Sequence, residues 1–124
     1  MEPILSYESI RGTLWDIIES PSYDSMMALL QIAEEKILAF QTQYAGMQDG
    51  GHFESIQTLL FQAKIKIFLM HLQNLNPTLK AQDRNHRKAI PTEMYHNGKQ
   101  LWTNRSGALY YINSNNHRTY VKHQ

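Results

Sequence analysis

Residues 26–44 read MMALLQIAEEKILAFQTQY and residues 53–70 read FESIQTLLFQAKIKIFLM, and these two stretches decide the fold. In the first, Met26, Leu30, Ala33, Ile37, Phe40 and Tyr44 recur at steps of 4, 3, 4, 3 and 4. In the second, Phe53, Ile56, Leu60, Ala63, Ile67 and Met70 recur at steps of 3, 4, 3, 4 and 3. Such spacing places every named side chain on one face of a helix. Between the stretches lies Gly46-Met47-Gln48-Asp49-Gly50-Gly51, which stops one helix and turns the chain. A loop this short predicts an antiparallel hairpin of two helices, each about 30 Å long at ~1.5 Å per residue.

Working outward, Tyr7, Ile10, Leu14 and Ile17 keep helical spacing before Ser20-Pro21-Ser22, with Trp15 and Ile18 beside them. Gly12 interrupts this weaker helix at roughly 1 kcal/mol relative to alanine. Ser22 or Asp24 is suited to cap the helix that follows, because a side-chain oxygen accepts from the unpaired N–H groups of a first turn. Leu29, Ile32, Leu38, Leu59, Ile65, Leu69 and Leu72 lie off the two main stripes, and a hairpin alone cannot bury them. Either the first helix completes a three-helix bundle over them or a second copy of the chain covers them. Asn76-Pro77 ends the third helix, since proline cannot continue it and its predecessor avoids helical angles.

Residues 77–98 carry no sustained period and read as an irregular basic linker with a helical turn near 78–83. From Lys99 the pattern becomes aromatic and strand-like. Gln100–Thr103, Ala108–Asn113 and Arg118–Lys122 are strand candidates, separated by Asn104-Arg105-Ser106-Gly107 and Ser114-Asn115-Asn116-His117. The expected class is therefore α+β. A helical hairpin or three-helix bundle occupies residues 1–76, a linker 77–98, and a small three-stranded antiparallel meander 99–124. So small a sheet without a disulfide leans on the helices or on a partner.

The 124 residues suit one domain, or one domain with a small appendage. With no cysteine, disulfide scaffolds, thiol nucleophiles, iron–sulfur sites and cysteine zinc fingers are excluded. Met1-Glu2-Pro3-Ile4 does not read as a signal peptide, and the longest apolar run, Ile67–Met70, falls far below the ~18–20 residues of a membrane helix. The expectation is a protein that is not secreted and meets no membrane. A net charge of +1 hides a division: residues 1–76 hold nine acids against four bases, whereas residues 77–124 hold eight bases against two acids. An acidic body thus precedes a basic module.

Chemistry finds little support. His52, His71, His86, His96, His117 and His123 have no metal-ligand spacing. Glu34 and Glu35 are adjacent and diverge on a helix, while Asp16 and Glu19 sit at a helix end. Phosphate-binding and nucleophile-elbow motifs are absent. No catalytic residue, metal or cofactor is expected, and the chain reads as a non-enzyme.

The segment Gly98-Lys99-Gln100-Leu101-Trp102-Thr103, followed by Gly107-Ala108-Leu109-Tyr110-Tyr111-Ile112-Asn113-Ser114 and Thr119-Tyr120-Val121-Lys122, resembles the small basic adaptor domain of Chlorella-infecting viruses and other large DNA viruses. Tyr-Tyr-Ile-Asn-Ser is its specific part, and the resemblance covers residues 98–122. Here Asn115-Asn116-His117 replaces a turn usually filled by glycine and lysine, and Leu109 stands where a basic residue is common, which weakens attraction to nucleic acid. The resemblance implies a viral adaptor or virion-associated protein without catalysis, located in the virion, the host cytoplasm or an assembly site. Trp102, Tyr110-Tyr111, Asn113 and Thr119 also resemble a WW domain, but Val121 takes the place of its second tryptophan. The expected contacts to a viral protein partner are Trp102, Arg105, Tyr111, Arg118, Tyr120 and Lys122, with aromatics buried and cations steering toward acidic surface. Nucleic-acid binding by the same basic aromatic module is the alternative, a WW-like peptide site the second. Self-association through the helical part is left open.

Overall fold

The computed structural model describes residues 3–44, 51–82 and 84–122. These form two compact units divided between Leu72 and Gln73. The boundary coincides with the division of charge, because residues 73–76 carry none.

The first unit is helical: α1 spans Pro3–Glu19, α2 Tyr23–Gln43 and α3 His52–Leu75. Ser22 caps α2, its hydroxyl accepting from the Ser25 amide at 3.2 Å. Tyr23, at the start of α2, lies 5.5 Å from the His71 ring near the end of α3, so these helices run antiparallel. Of the turn expected at Gly46–Gly51, all but Gly51 lies outside the described residues. The predicted stripes form the core. Met26, Ala33, Ile37, Phe40 and Tyr44 of the first stripe are buried, as are Ile56, Ala63 and Ile67 of the second. Helix α1 adds Ile10, Leu14, Trp15, Ile17 and Ile18. Its other attachment to α2 is polar: Lys36 Nζ donates to Ser9 Oγ and Thr13 Oγ1, each at 3.0 Å. Helix α1 leaves part of the surplus apolar surface uncovered, for Ile32, Leu38 and Ile65 remain exposed.

The second unit corrects the linker. After a short helix α4, Pro77–Gln82, and a 3₁₀ turn, Arg84–His86, residues Ala89–His96 form a strand, β1. It pairs with β2 (Lys99–Asn104), which pairs with β3 (Leu109–Ile112), which pairs with β4 (Arg118–Val121), all antiparallel. The sheet thus has four strands among the described residues where three were expected. Asn97 and Gly98 both take positive φ, 50° and 81°, making the two-residue hairpin that twists with its strands. Pro91 obscured this strand in the sequence, since proline cannot donate to a ladder; β1 is an edge strand, where proline is tolerated. A register shift between Pro91 and Tyr95 further breaks its alternation.

Asparagines fix the other two turns. Asn104 Oδ1 accepts from the amides of Ser106 and Ala108 at 3.1 and 3.3 Å. Asn113 Oδ1 accepts from the amides of Asn115 and His117 at 2.9 and 3.1 Å, while its Nδ2 donates to Thr119 Oγ1 at 2.9 Å.

Candidate functional site: the two faces of the sheet

Strand register decides which side chains meet. One row across the sheet is Pro91, Trp102, Tyr110 and Tyr120, one residue from each strand on a common face. The adjacent row, Ile90, Thr103, Leu109 and Val121, points to the opposite face. Tyr111, next to Tyr110 and paired with Thr119, belongs to that second face.

On the first face, Tyr110 is fully buried and sits at the centre of a local network. Its hydroxyl donates to the Asn85 carbonyl at 2.9 Å. With that hydrogen committed, the His86 Nδ1 contact at 3.1 Å is read as a donation to the tyrosine oxygen. Arg118 Nε donates to the same Asn85 carbonyl at 2.8 Å, and its guanidinium carbon lies 4.4 Å from the Tyr110 ring centroid, within cation–π range. The His86 ring stacks on Trp102 with centroids 3.6 Å apart. Asn85 also reaches across to the last turn, donating to the Asn116 carbonyl at 2.9 Å. The 3₁₀ turn therefore folds over this face and closes it. Tyr120 extends beyond that cover: 52% exposed, it lies 5.5 Å from Tyr110, and its hydroxyl accepts from Arg118 Nη1 at 3.2 Å.

On the second face, His96 stacks on Tyr111 at 5.5 Å. Lys99 Nζ donates to the Ile112 carbonyl at 3.3 Å and stands 6.0 Å from the Tyr111 centroid. Ile90 and Leu101 are buried there.

The six residues expected to bind a partner are thus distributed. Trp102, Arg118 and Tyr120 share the first face, Tyr111 lies on the second, Arg105 is exposed in the β2–β3 turn, and Lys122 is exposed just past β4. The participants that sequence reasoning missed are Asn85, His86 and His96. All three fell inside the supposed linker. The third was discoverable, because Asn97-Gly98 marks a hairpin whose preceding strand must end in His96.

Among the described residues, no group of three or more histidine, aspartate and glutamate side chains is placed to hold a metal ion. None of the described helices is long and apolar enough to cross a membrane. Fold and site together define an α+β chain with a helical unit followed by a small aromatic, basic sheet. No protein-family model matches it, and no curated protein or solved structure shows a significant similarity to it.

Proposed function

We propose that this chain is a non-enzymatic adaptor whose basic sheet unit docks onto a protein partner. The observation that carries the reading is the state of the sheet aromatics. A nucleic-acid platform needs ring faces open to bases. Here Trp102 is faced by His86, Tyr110 is buried beneath Arg118, and Tyr111 is faced by His96. Tyr95 and Tyr120, 65% and 52% exposed, are left as the presented aromatics of the first face, and Tyr120 is held by its bond from Arg118 and so ordered before binding. Arg105 and Lys122, both exposed, add to the positive charge of this unit and favour an acidic partner surface. The viral setting, with action in a virion, an assembly site or the host cytoplasm, rests on the resemblance of residues 98–122 to the viral basic adaptor domain. The WW-like reading gains little from the register: Tyr111 shares the second face with Val121, but valine supplies no second aromatic wall and His96 already stacks on that tyrosine.

The test mixes the purified chain with labelled single- and double-stranded DNA at low and near-physiological salt. The expected result is weak binding at low salt that disappears near ~0.15 M, because phosphate contacts alone are screened and displaced by counterions. Binding that persists at physiological salt and is lost in the Arg105→Ala, Lys122→Ala double variant overturns the protein-partner reading. Arg118→Ala is unsuited to this purpose, because that side chain also braces Asn85 and Tyr110. In parallel, a protein captured from infected cells after nuclease treatment should be lost with Tyr120→Ala.

A further inference from the structure

Helix α3 carries a second apolar stripe besides its core stripe. Phe61, Ile65 and Phe68 step by 4 and 3, and they are 62%, 36% and 60% exposed. Beside them runs a groove of about 620 Å³ between α2 and α3, with Met27, Glu34 and Leu38 on one wall and Gln57 and Leu60 on the other. Met27 and Leu38 are themselves 42% and 64% exposed. The outer surface of the hairpin is thus a groove flanked by a ridge.

We propose that this surface pairs with the same surface of a second copy, as a four-helix bundle whose two-fold axis runs parallel to the helices. Two arguments select this occupant and this geometry. The first is area. With aromatic side chains worth roughly 150–250 Å² each, Phe61, Phe68, Leu38, Met27 and Ile65 expose on the order of 500 Å² per copy. Both copies together approach the lower end of the ~1,200–2,000 Å² that specific interfaces bury once rim atoms are included. The second is charge. The outward charges of α2 at this groove are Glu34 and Glu35, whereas α3 presents Lys64 between Phe61 and Phe68. The antiparallel register set by Tyr23 and His71 puts Lys64 about one turn, ~6 Å, from the level of Glu34 along the bundle. An axis parallel to the helices lays α2 of one copy on α3 of the other, so Glu34 meets Lys64 twice per dimer. An axis perpendicular to them would lay α2 on α2 and bring the glutamates together. Complementary charge therefore chooses the first arrangement.

Sedimentation equilibrium on the full chain tests this, with circular dichroism confirming unchanged helix content. Wild type should be dimeric at micromolar concentration. Phe61→Glu should raise the dimer Kd by at least a hundredfold, and because Phe61 is exposed the variant should keep its fold. Glu34→Lys and Lys64→Glu should each raise Kd roughly tenfold, and the double reversal should return it to within about threefold of wild type. A wild-type monomer at ~100 µM overturns the proposal, as does a dimer indifferent to Phe61→Glu. Tightening by Glu34→Lys alone overturns the geometry, since placing Glu34 opposite Lys64 requires the opposite sign.

Discussion

Replacing Tyr110 by phenylalanine removes one oxygen and little else, which makes it a sharp probe of the closed sheet face. The lost hydroxyl joins the Asn85 carbonyl at 2.9 Å to His86 Nδ1 at 3.1 Å. The two losses are unequal. The Asn85 carbonyl keeps its bond from Arg118 Nε at 2.8 Å, so it is not orphaned. His86 is half-buried and regains some hydration. At a net ~1 kcal/mol per hydrogen bond, with one partner still satisfied, the expected destabilisation of the sheet unit is about 1–2 kcal/mol. For so small a unit, at ~2.1 cal/mol/K of unfolding entropy per residue, this corresponds to a fall in Tm of roughly 10–20 °C. The chain has two tryptophans, Trp15 in the helical unit and Trp102 under His86, so a chain labelled with 5-fluorotryptophan reports each unit by its own ¹⁹F resonance. Urea or heat should shift the Trp102 transition to lower midpoint while leaving the Trp15 transition in place. If the Trp102 midpoint moves by less than ~0.3 kcal/mol, the hydroxyl bridge does not hold the 3₁₀ turn onto the sheet, and the closed-face argument fails with it.

Three further outcomes follow from local geometry. Gly98→Ala keeps open space around the new Cβ but forces an L-residue to φ +81°, so it should weaken the sheet unit by about 1–2 kcal/mol in the same ¹⁹F experiment. Ser22→Ala removes the cap on the Ser25 amide and should lower the stability of the helical unit by ~1 kcal/mol, read as a shift of the Trp15 transition alone. Ala63→Leu inserts three carbons where the existing side chain is completely buried; overpacking of 1–3 kcal/mol is expected on the order of magnitude, again at Trp15, and an unchanged midpoint would show that α3 can shift outward freely.

The helical half was legible because its signal is cumulative: each stripe repeats five intervals of 3 or 4 residues, and Ser22, Pro21 and Pro77 punctuate the ends. The strands that carry Trp102, Tyr110 and Tyr120 were legible for the same reason, through clustered strand formers between asparagine turns. Strand β1 was not. Only Ile90 and Ala89 of its eight residues are buried, so the hydrophobic alternation that identifies a half-buried strand scarcely exists there. Its place is set instead by the Asn97-Gly98 turn and by long-range contacts such as Thr92 Oγ1 donating to the Leu101 carbonyl at 2.8 Å. The site suffered from the same blindness. Residue types placed aromatics and cations together in this unit, and alternation separated Tyr110 from Tyr111. No local pattern, however, announces that Asn85 and His86 will cover the first face, for they meet Tyr110 across 25 and 24 positions of chain respectively.

That cover bears on which kind of partner the proposed docking role would favour. Cations exposed on a surface attract phosphates and carboxylates alike, so charge alone would make the +6 of residues 73–124 indiscriminate. Stacking is what would tip the balance toward single-stranded nucleic acid, and beside the exposed Tyr95 and Tyr120 three rings lend one face to a neighbour within the unit: Trp102 to His86, Tyr110 to Arg118, Tyr111 to His96. Opening any of them requires breaking an internal contact first, whereas Tyr120 can be buried against a protein surface with its Arg118 bond intact. Removal of His86, by His86→Ala, is then a perturbation with opposite consequences for the two readings. It uncovers Trp102 and should raise affinity for single-stranded DNA at low salt by several-fold, yet leave capture of a protein partner through Tyr120 nearly unchanged wherever the unit remains folded. An equal loss of both activities would mean that the two share the covered face, and that Tyr120 is not the point of contact.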